Sequence, residues 1–254
     1  MNKALLRSKL KAMGVHLLCS LLVALSVGYV VFFWWYPYPF GFASGGLQLF
    51  LLVTGVDLVL GPMLTLVAFD PHKRKVLMVG DFIVIGVLQL CALVYGVNAV
   101  SDSRPVAVVF EMSRFRAIRA GDLSTEELKK ASSGLGELSW TGPKLIGTRV
   151  LTHKEEQDAL FIALEGRDIG MRPEFWSPYE KEQGRIKDIA KKIDLLIERY
   201  PYAKDDLEQI AAKAGVKLPN LGFLPVLSKQ GIFTLLINKE NGAFVGYILL
   251  DGSL

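Results

Sequence analysis

The side chains in this sequence with the strongest chemical potential lie inside apolar runs. Asp57, Asp81, His16 and Gln89 fall within three of them, residues 12–36, 47–69 and 76–100. An unpaired carboxylate at the centre of a bilayer costs about 2.5–3.5 kcal/mol on insertion scales, so such a group is protonated, paired, or turned toward other helices. Paired, these groups fasten helices to one another; in a row they could pass a proton or an ion. Counting about 1.5 Å per residue from the basic ends of the runs, Asp57 lies roughly 18 Å deep, Gln89 and Ser26 near 20 Å, and Asp81 and His16 at about 8 and 6 Å. Depth therefore predicts two polar layers: Asp57 with Gln89 or Ser26 near the midplane, and Asp81 with His16 near the basic face. Three helices enclose little water and no second midplane acid exists, which favours interhelical contacts over conduction.

Residues 101–254 offer less. They hold one histidine, His153, and no cysteine, so neither a Cys/His nucleophile pair nor a zinc site with ordinary ligands can be assembled. The glycines of SSGLGELSWTG lack the strand-then-helix setting of a phosphate loop, and no nucleophile-elbow pattern is present. Adjacent acids at 126–127, 155–156 and 205–206 sit in first helical turns, where the helix dipole favours negative charge without any catalytic role. The expectation is a protein that is not an enzyme, with no catalytic, cofactor-binding or metal-binding residues.

The elements that must hold the intramembrane groups follow from charge and hydropathy. Of 29 basic and 25 acidic residues in 254, residues 101–254 hold 22 of each, so the net charge of +4 belongs to the first hundred. A balanced C-terminal region argues against nucleic acid as a partner. Each apolar run is long enough to cross roughly 30 Å of hydrocarbon, which makes the lipid bilayer the first partner. Residues 12–36 continue about ten residues past Ala24-Leu25-Ser26, so they read as a span rather than a cleaved signal peptide. Lysine and arginine cluster before the first run and at 73–75, and the 37–46 loop has none, which places both basic ends in the cytoplasm. Three crossings then export the C-terminal region, in a bacterium to the periplasm, with Trp34, Trp35, Tyr36 and Tyr38 as an interfacial belt. Within span two, Gly61 and Pro62 predict a kink and a close helix approach. Asp70-Pro71 ends the span.

The predicted fold is thus a membrane domain, residues 1–100, with three transmembrane α-helices, followed by a periplasmic α+β domain, residues 101–254, with an antiparallel sheet. VAVVF at 106–110 reads as a buried strand. Capping boxes at Ser124/Glu127, Thr152/Glu155 and Ser177/Glu180 start helices near 125, 153 and 178. The last of these runs on through Ile186, Ile189, Ile193, Leu196, Ile197 and Tyr200, on one apolar face, to Pro201. A further helix ends at Ala214 before Gly215, and strands follow at 221–227, 232–237 and 244–250, with Asn241-Gly242 turning the last pair.

The segments GVDLVLGPMLTLVAFD, DFIVIGVLQLCALVYGV, SRPVAVVFEMSRFRAI and GIFTLLINKENGAFVGYILLDGSL occur in that order. Together they resemble the type IV pilin accessory protein family of the TfpX/TfpZ type, over nearly the whole chain. The resemblance implies an inner-membrane protein with a cognate type IV pilin subunit as partner, acting as a helper or chaperone in pilus assembly or pilin display, and carries no catalytic residue over. A pilin subunit waits in the membrane as one apolar helix with a periplasmic head. Gly55, Asp57, Gly61 and Pro62 are therefore candidates to shape a helix-docking groove. The alternative reading is a membrane-anchored periplasmic sensor without catalytic activity.

Overall fold

In a computed structural model, which describes residues 3–132, 134–164 and 167–253, the chain forms two compact units. One holds the chain up to Trp34 together with Gly46–Asp102; the other holds Trp35–Gly45 and the chain from Ser103 onward.

The first unit is three helices: α1 (Lys3–Val30, running into a π-helical turn at Val31–Trp35), α3 (Gly46–Ala68) and α4 (Lys75–Asp102). All three are long and apolar enough to cross a membrane. Leucine and valine side chains project outward along each of them, as hydrocarbon-facing helices require. Helix α3 is central and packs against both α1 and α4. Glycines allow the contact. A Cβ on Gly96 would stand 2.1 Å from Val53, and one on Gly28 3.0 Å from Phe50. Pro62 lies inside α3, which continues through it to Ala68.

The second unit is built on a mixed sheet of eight strands, in the order β4-β3-β1-β2-β6-β7-β8, with β5 also against β6. Strands β1 (Pro105–Glu111) and β2 (Arg114–Arg119) form a hairpin. β1 then runs parallel to β3 (Lys144–Thr148), and β2 runs parallel to β6 (Leu221–Ser228). β4 (Trp176–Pro178), β5 (Lys191–Lys192), β7 (Gly231–Asn238) and β8 (Phe244–Ile248) pair antiparallel. The expected all-antiparallel sheet is corrected on this point. Long excursions through α5 (Thr125–Leu128) and α6 (His153–Leu164) let the chain return in the parallel sense, which a short hairpin cannot do.

The capping boxes at Ser124/Glu127 and Thr152/Glu155 form, each hydroxyl accepting from the glutamate N–H and each carboxylate accepting from the cap N–H. Ser177 instead lies in β4, and α7 (Tyr179–Ile189) starts without a side-chain cap. The long helix expected to run to Pro201 is broken. Ala190 is extended, β5 takes two residues into the sheet against Gly222 and Phe223, and α8 (Ile193–Arg199) resumes. The break turns Ile193 and Leu196 into the core that α8 and α9 (Lys204–Lys213) form against β6, β7 and β8. Gly215, at φ +68°, closes α9 in the left-handed conformation that suits glycine.

The segment that joins α1 to α3 belongs to this second core. It includes the short helix α2 (Phe40–Ala43). Tyr36 and Phe40 are 2% and 1% exposed. Phe40 stands edge-on to Phe233 and Tyr247, at 5.6 and 5.2 Å between ring centroids. Ser228 donates its hydroxyl to the Ala43 carbonyl. Arg104 lies 4.3 Å from the Trp140 ring and 6.0 Å from that of Trp35. The expected interfacial belt is corrected accordingly: Trp34 and Tyr38 remain exposed, while Tyr36 is a core residue of the C-terminal unit.

Candidate functional site

The polar groups of the helical unit form one chain of hydrogen bonds across all three helices. Gln89 on α4 donates from Nε2 to Asp57 Oδ1 on α3, at 3.1 Å, and accepts at Oε1 from His16 on α1, at 2.7 Å from Nε2. The other ring nitrogen of His16, Nδ1, lies 2.5 Å from Thr65 Oγ1 on α3. An amide oxygen cannot donate, so His16 carries its proton on Nε2; in the neutral ring Nδ1 then accepts from the Thr65 hydroxyl. Every bond therefore points the same way, from Thr65 through His16 and Gln89 to Asp57, and bonds so aligned polarise one another.

Gly61 makes room for this chain. A Cβ there would stand 2.1 Å from Gln89 Nε2 and 2.9 Å from His16 Nε2. Gly61 and Pro62 are buried and Asp57 is bonded to Gln89, so of the four residues expected to shape a docking groove it is Gly55, with nothing within 4 Å of its Cβ position, that has open space.

Of the two expected layers, Asp57 meets Gln89 rather than Ser26, and the pairing of Asp81 with His16 is corrected. His16 meets Gln89 and Thr65 rather than Asp81, because α1 begins at Lys3 and not at residue 12. His16 thus lies about 20 Å along its helix, close to the height of Gln89 along α4. Asp81 is paired instead with Lys73 of the basic loop. Ser26 does not reach Asp57; its hydroxyl donates to Leu22 one turn back on α1, at 2.9 Å. Beside the network a groove of roughly 640 Å³ is lined by Lys11, Val15, His16, Thr65, Phe69 and Phe82. Its walls come from all three helices, and its surface is largely apolar.

The C-terminal unit has a second buried polar cluster, at Glu111, which sequence reasoning missed. Glu111 is 4% exposed and accepts from Arg114 Nε at 3.1 Å, Arg116 Nε at 2.9 Å and the Gly170 N–H at 2.9 Å, while Arg116 also pairs with Asp168. The signal available was an acid three and five residues before two arginines across a two-residue turn. On the surface of this unit, the Arg167 guanidinium and the Ser124 N–H hold the Glu127 carboxyl down at about 2. Burial pushes the Tyr179 phenol up, and its hydroxyl donates to the Gly242 carbonyl at 2.7 Å. His153 is fully exposed, 3.5 Å from Glu156. Among the described residues no group of three or more metal-ligating side chains converges.

A family model, Fimbrial assembly protein FimB, matches residues 4–45, which take in α1 and the segment after it. The chain is 32% identical to the fimbrial assembly protein of serogroup E1 from Dichelobacter nodosus over 243 residues, covering 95% of each chain. The serogroup I protein of that organism gives the same identity and coverage. A third protein, of serogroups C1 and C2, is 40% identical over 131 residues, all of its own length and 52% of this chain. No solved structure matches. Similarity of this extent, running through both units, shows that the chain belongs to the family of fimbrial assembly proteins.

Proposed function

We propose that this chain is an inner-membrane helper for a type IV pilin. In this reading it crosses the membrane three times, keeps both basic ends in the cytoplasm, carries its C-terminal unit in the periplasm, and assists a cognate pilin during fimbrial assembly without catalysing a reaction. The observation that carries the reading is the 32% identity to fimbrial assembly proteins along 95% of both chains. The three apolar helices and the charge distribution support it. The pilin's apolar helix docks on the outer face of α3 around Gly55, where exposed Leu51, Leu52 and Val59 lie three and four residues away and so on the same face. The His16–Gln89–Asp57 chain then holds the three helices rigid behind that face.

The test is made in cells that produce both proteins. Photo-crosslinkers at positions 51, 52 and 59 are expected to capture the pilin, and deletion of this chain is expected to remove surface pili while pilin is still made. Normal surface pili in the deletion strain would overturn the assembly role. Capture at none of the three positions, with pili still lost on deletion, would overturn the docking face alone.

A further inference from the structure

The C-terminal unit contains a pocket of roughly 290 Å³ whose walls include Ser44, Arg116, Arg119, Asp122, Ser228 and Lys229. Its floor holds an unmet donor. Ser44 is 8% exposed, and its hydroxyl has no hydrogen-bond partner although solvent does not reach it. Buried hydroxyls are almost always satisfied, so a serine in a cavity wall whose hydroxyl finds no partner in its present rotamer points to an acceptor that enters the cavity and draws the hydroxyl round to it. At the rim, Lys229 is exposed and has no ion pair among the described residues. The single lining acid, Asp122, is neutralised by Arg119, at 3.1 Å from Nε and 2.5 Å from Nη2. Arg116 is bound by Glu111 and Asp168. Each guanidinium has five N–H donors and these carboxylates occupy two on each, so both arginines keep donors that an entering oxyanion can use. A buried hydroxyl, two guanidinium groups and an ammonium around one cavity complement a compact oxyanion.

Chain connectivity says where such an anion comes from. Ser44 stands two residues before Gly46, where the membrane-crossing length of α3 begins, and the segment before it leaves α1 only nine residues earlier, at Trp35. The floor of the pocket is thereby held at the edge of the hydrocarbon layer, the depth at which lipid phosphates lie. We propose that this pocket binds the phosphate of an anionic phospholipid whose headgroup alcohol carries no amine, with Ser44 Oγ donating to a phosphate oxygen and Lys229 and Arg119 supplying charge. A headgroup bearing its own ammonium would bring that charge against Lys229 and be disfavoured. The proposal rests on α3 crossing the bilayer and not on the pilin reading.

The full chain, extracted in mild detergent from vesicles of equal phosphatidylglycerol and phosphatidylcholine, is examined by native mass spectrometry for retained lipid. Wild type is expected to retain phosphatidylglycerol preferentially, and Lys229→Gln to lower that retention about five-fold, the weight of one cation near an anionic surface. Ser44→Ala is expected to lower retention while raising the melting temperature in lipid-free detergent, because it removes an unsatisfied buried hydroxyl; a merely structural serine would lower both. Equal retention of the two lipids, or unchanged retention in both variants, would overturn the proposal. So would saturable binding of inorganic phosphate that displaces all phosphatidylglycerol, which would assign the pocket to a soluble phosphate. Release of the chain from membranes by alkaline carbonate would instead reject the bilayer crossing itself.

Discussion

At the scale of single residues, the polar chain across the three helices depends on the residue with no side chain. Gly61→Ala would set a methyl against Gln89 and His16, whose positions are fixed by their own bonds. It is expected to destabilise the helical unit by about 1–3 kcal/mol, through overpacking or a lost hydrogen bond. Gly55→Ala, with open space around it, is expected to be neutral, and denaturation in mixed detergent micelles distinguishes the two. Of this site, the sequence made Asp57 and Gln89 legible as neighbours in depth. It hid His16, because the charged start of α1 conceals how far the helix extends below its apolar run. Glu127 gives a separate pH prediction. Its carboxyl is held at about 2 against an ordinary 4.5, so its contribution is present above pH 4.5 and is lost as pH falls through about 2. Glu127→Gln is therefore expected to flatten the acid limb of the C-terminal unit's stability curve between those values. The change should be below about 1 kcal/mol, since the Arg167 partner is half-exposed and solvent-screened.

At the scale of elements, the segment from Trp35 to Gly45 behaves as part of the sheet domain rather than as a loop. Phe40→Ala would empty a slot between Phe233 and Tyr247 and is expected to cost about 3–5 kcal/mol in the C-terminal unit. Phe42→Ala, at an exposed position two residues on, is the control, read by chemical denaturation. Nothing in PYPFGF signals this burial, since aromatic residues beside an apolar run satisfy the interfacial pattern equally well. Strand β2 was hidden for another reason. Arg114, Arg116 and Arg119 share it with buried Phe115 and Ile118, which are three residues apart and break the two-residue alternation that marks a strand. The broken helix at Ala190 shows tertiary pairing overriding a helical period: the β5 backbone bonds to β6 outweigh continuation of the helix. Where period and punctuation agreed, as in α9 with Gly215 and in β6, β7 and β8, the elements stand within a few residues of their expected limits.

At the scale of the whole molecule, the three crossings proposed above are an odd number, so in that reading the N-terminal helix begins and the C-terminal unit ends on opposite sides of the membrane. An alkaline phosphatase joined to the C-terminus is expected to be active in whole cells, and a green fluorescent protein at the same place to be dark; the reverse pair of results would invert the topology. Hydropathy made the three long helices legible because each apolar run is continuous. The parallel pairings of β1 with β3 and β2 with β6 were not, since they join segments far apart in the sequence. The same separation bears on how the chain is made. Phe40 leaves the ribosome about two hundred residues before Phe233 and Tyr247, the rings that receive it, so its aromatic slot is completed only after that whole stretch has been made. A fragment cut to begin at Ser103 for crystallisation would lack the plug for that slot and expose bare aromatic faces. One that carries residues 35–45 on a flexible tether would restore the missing wedge.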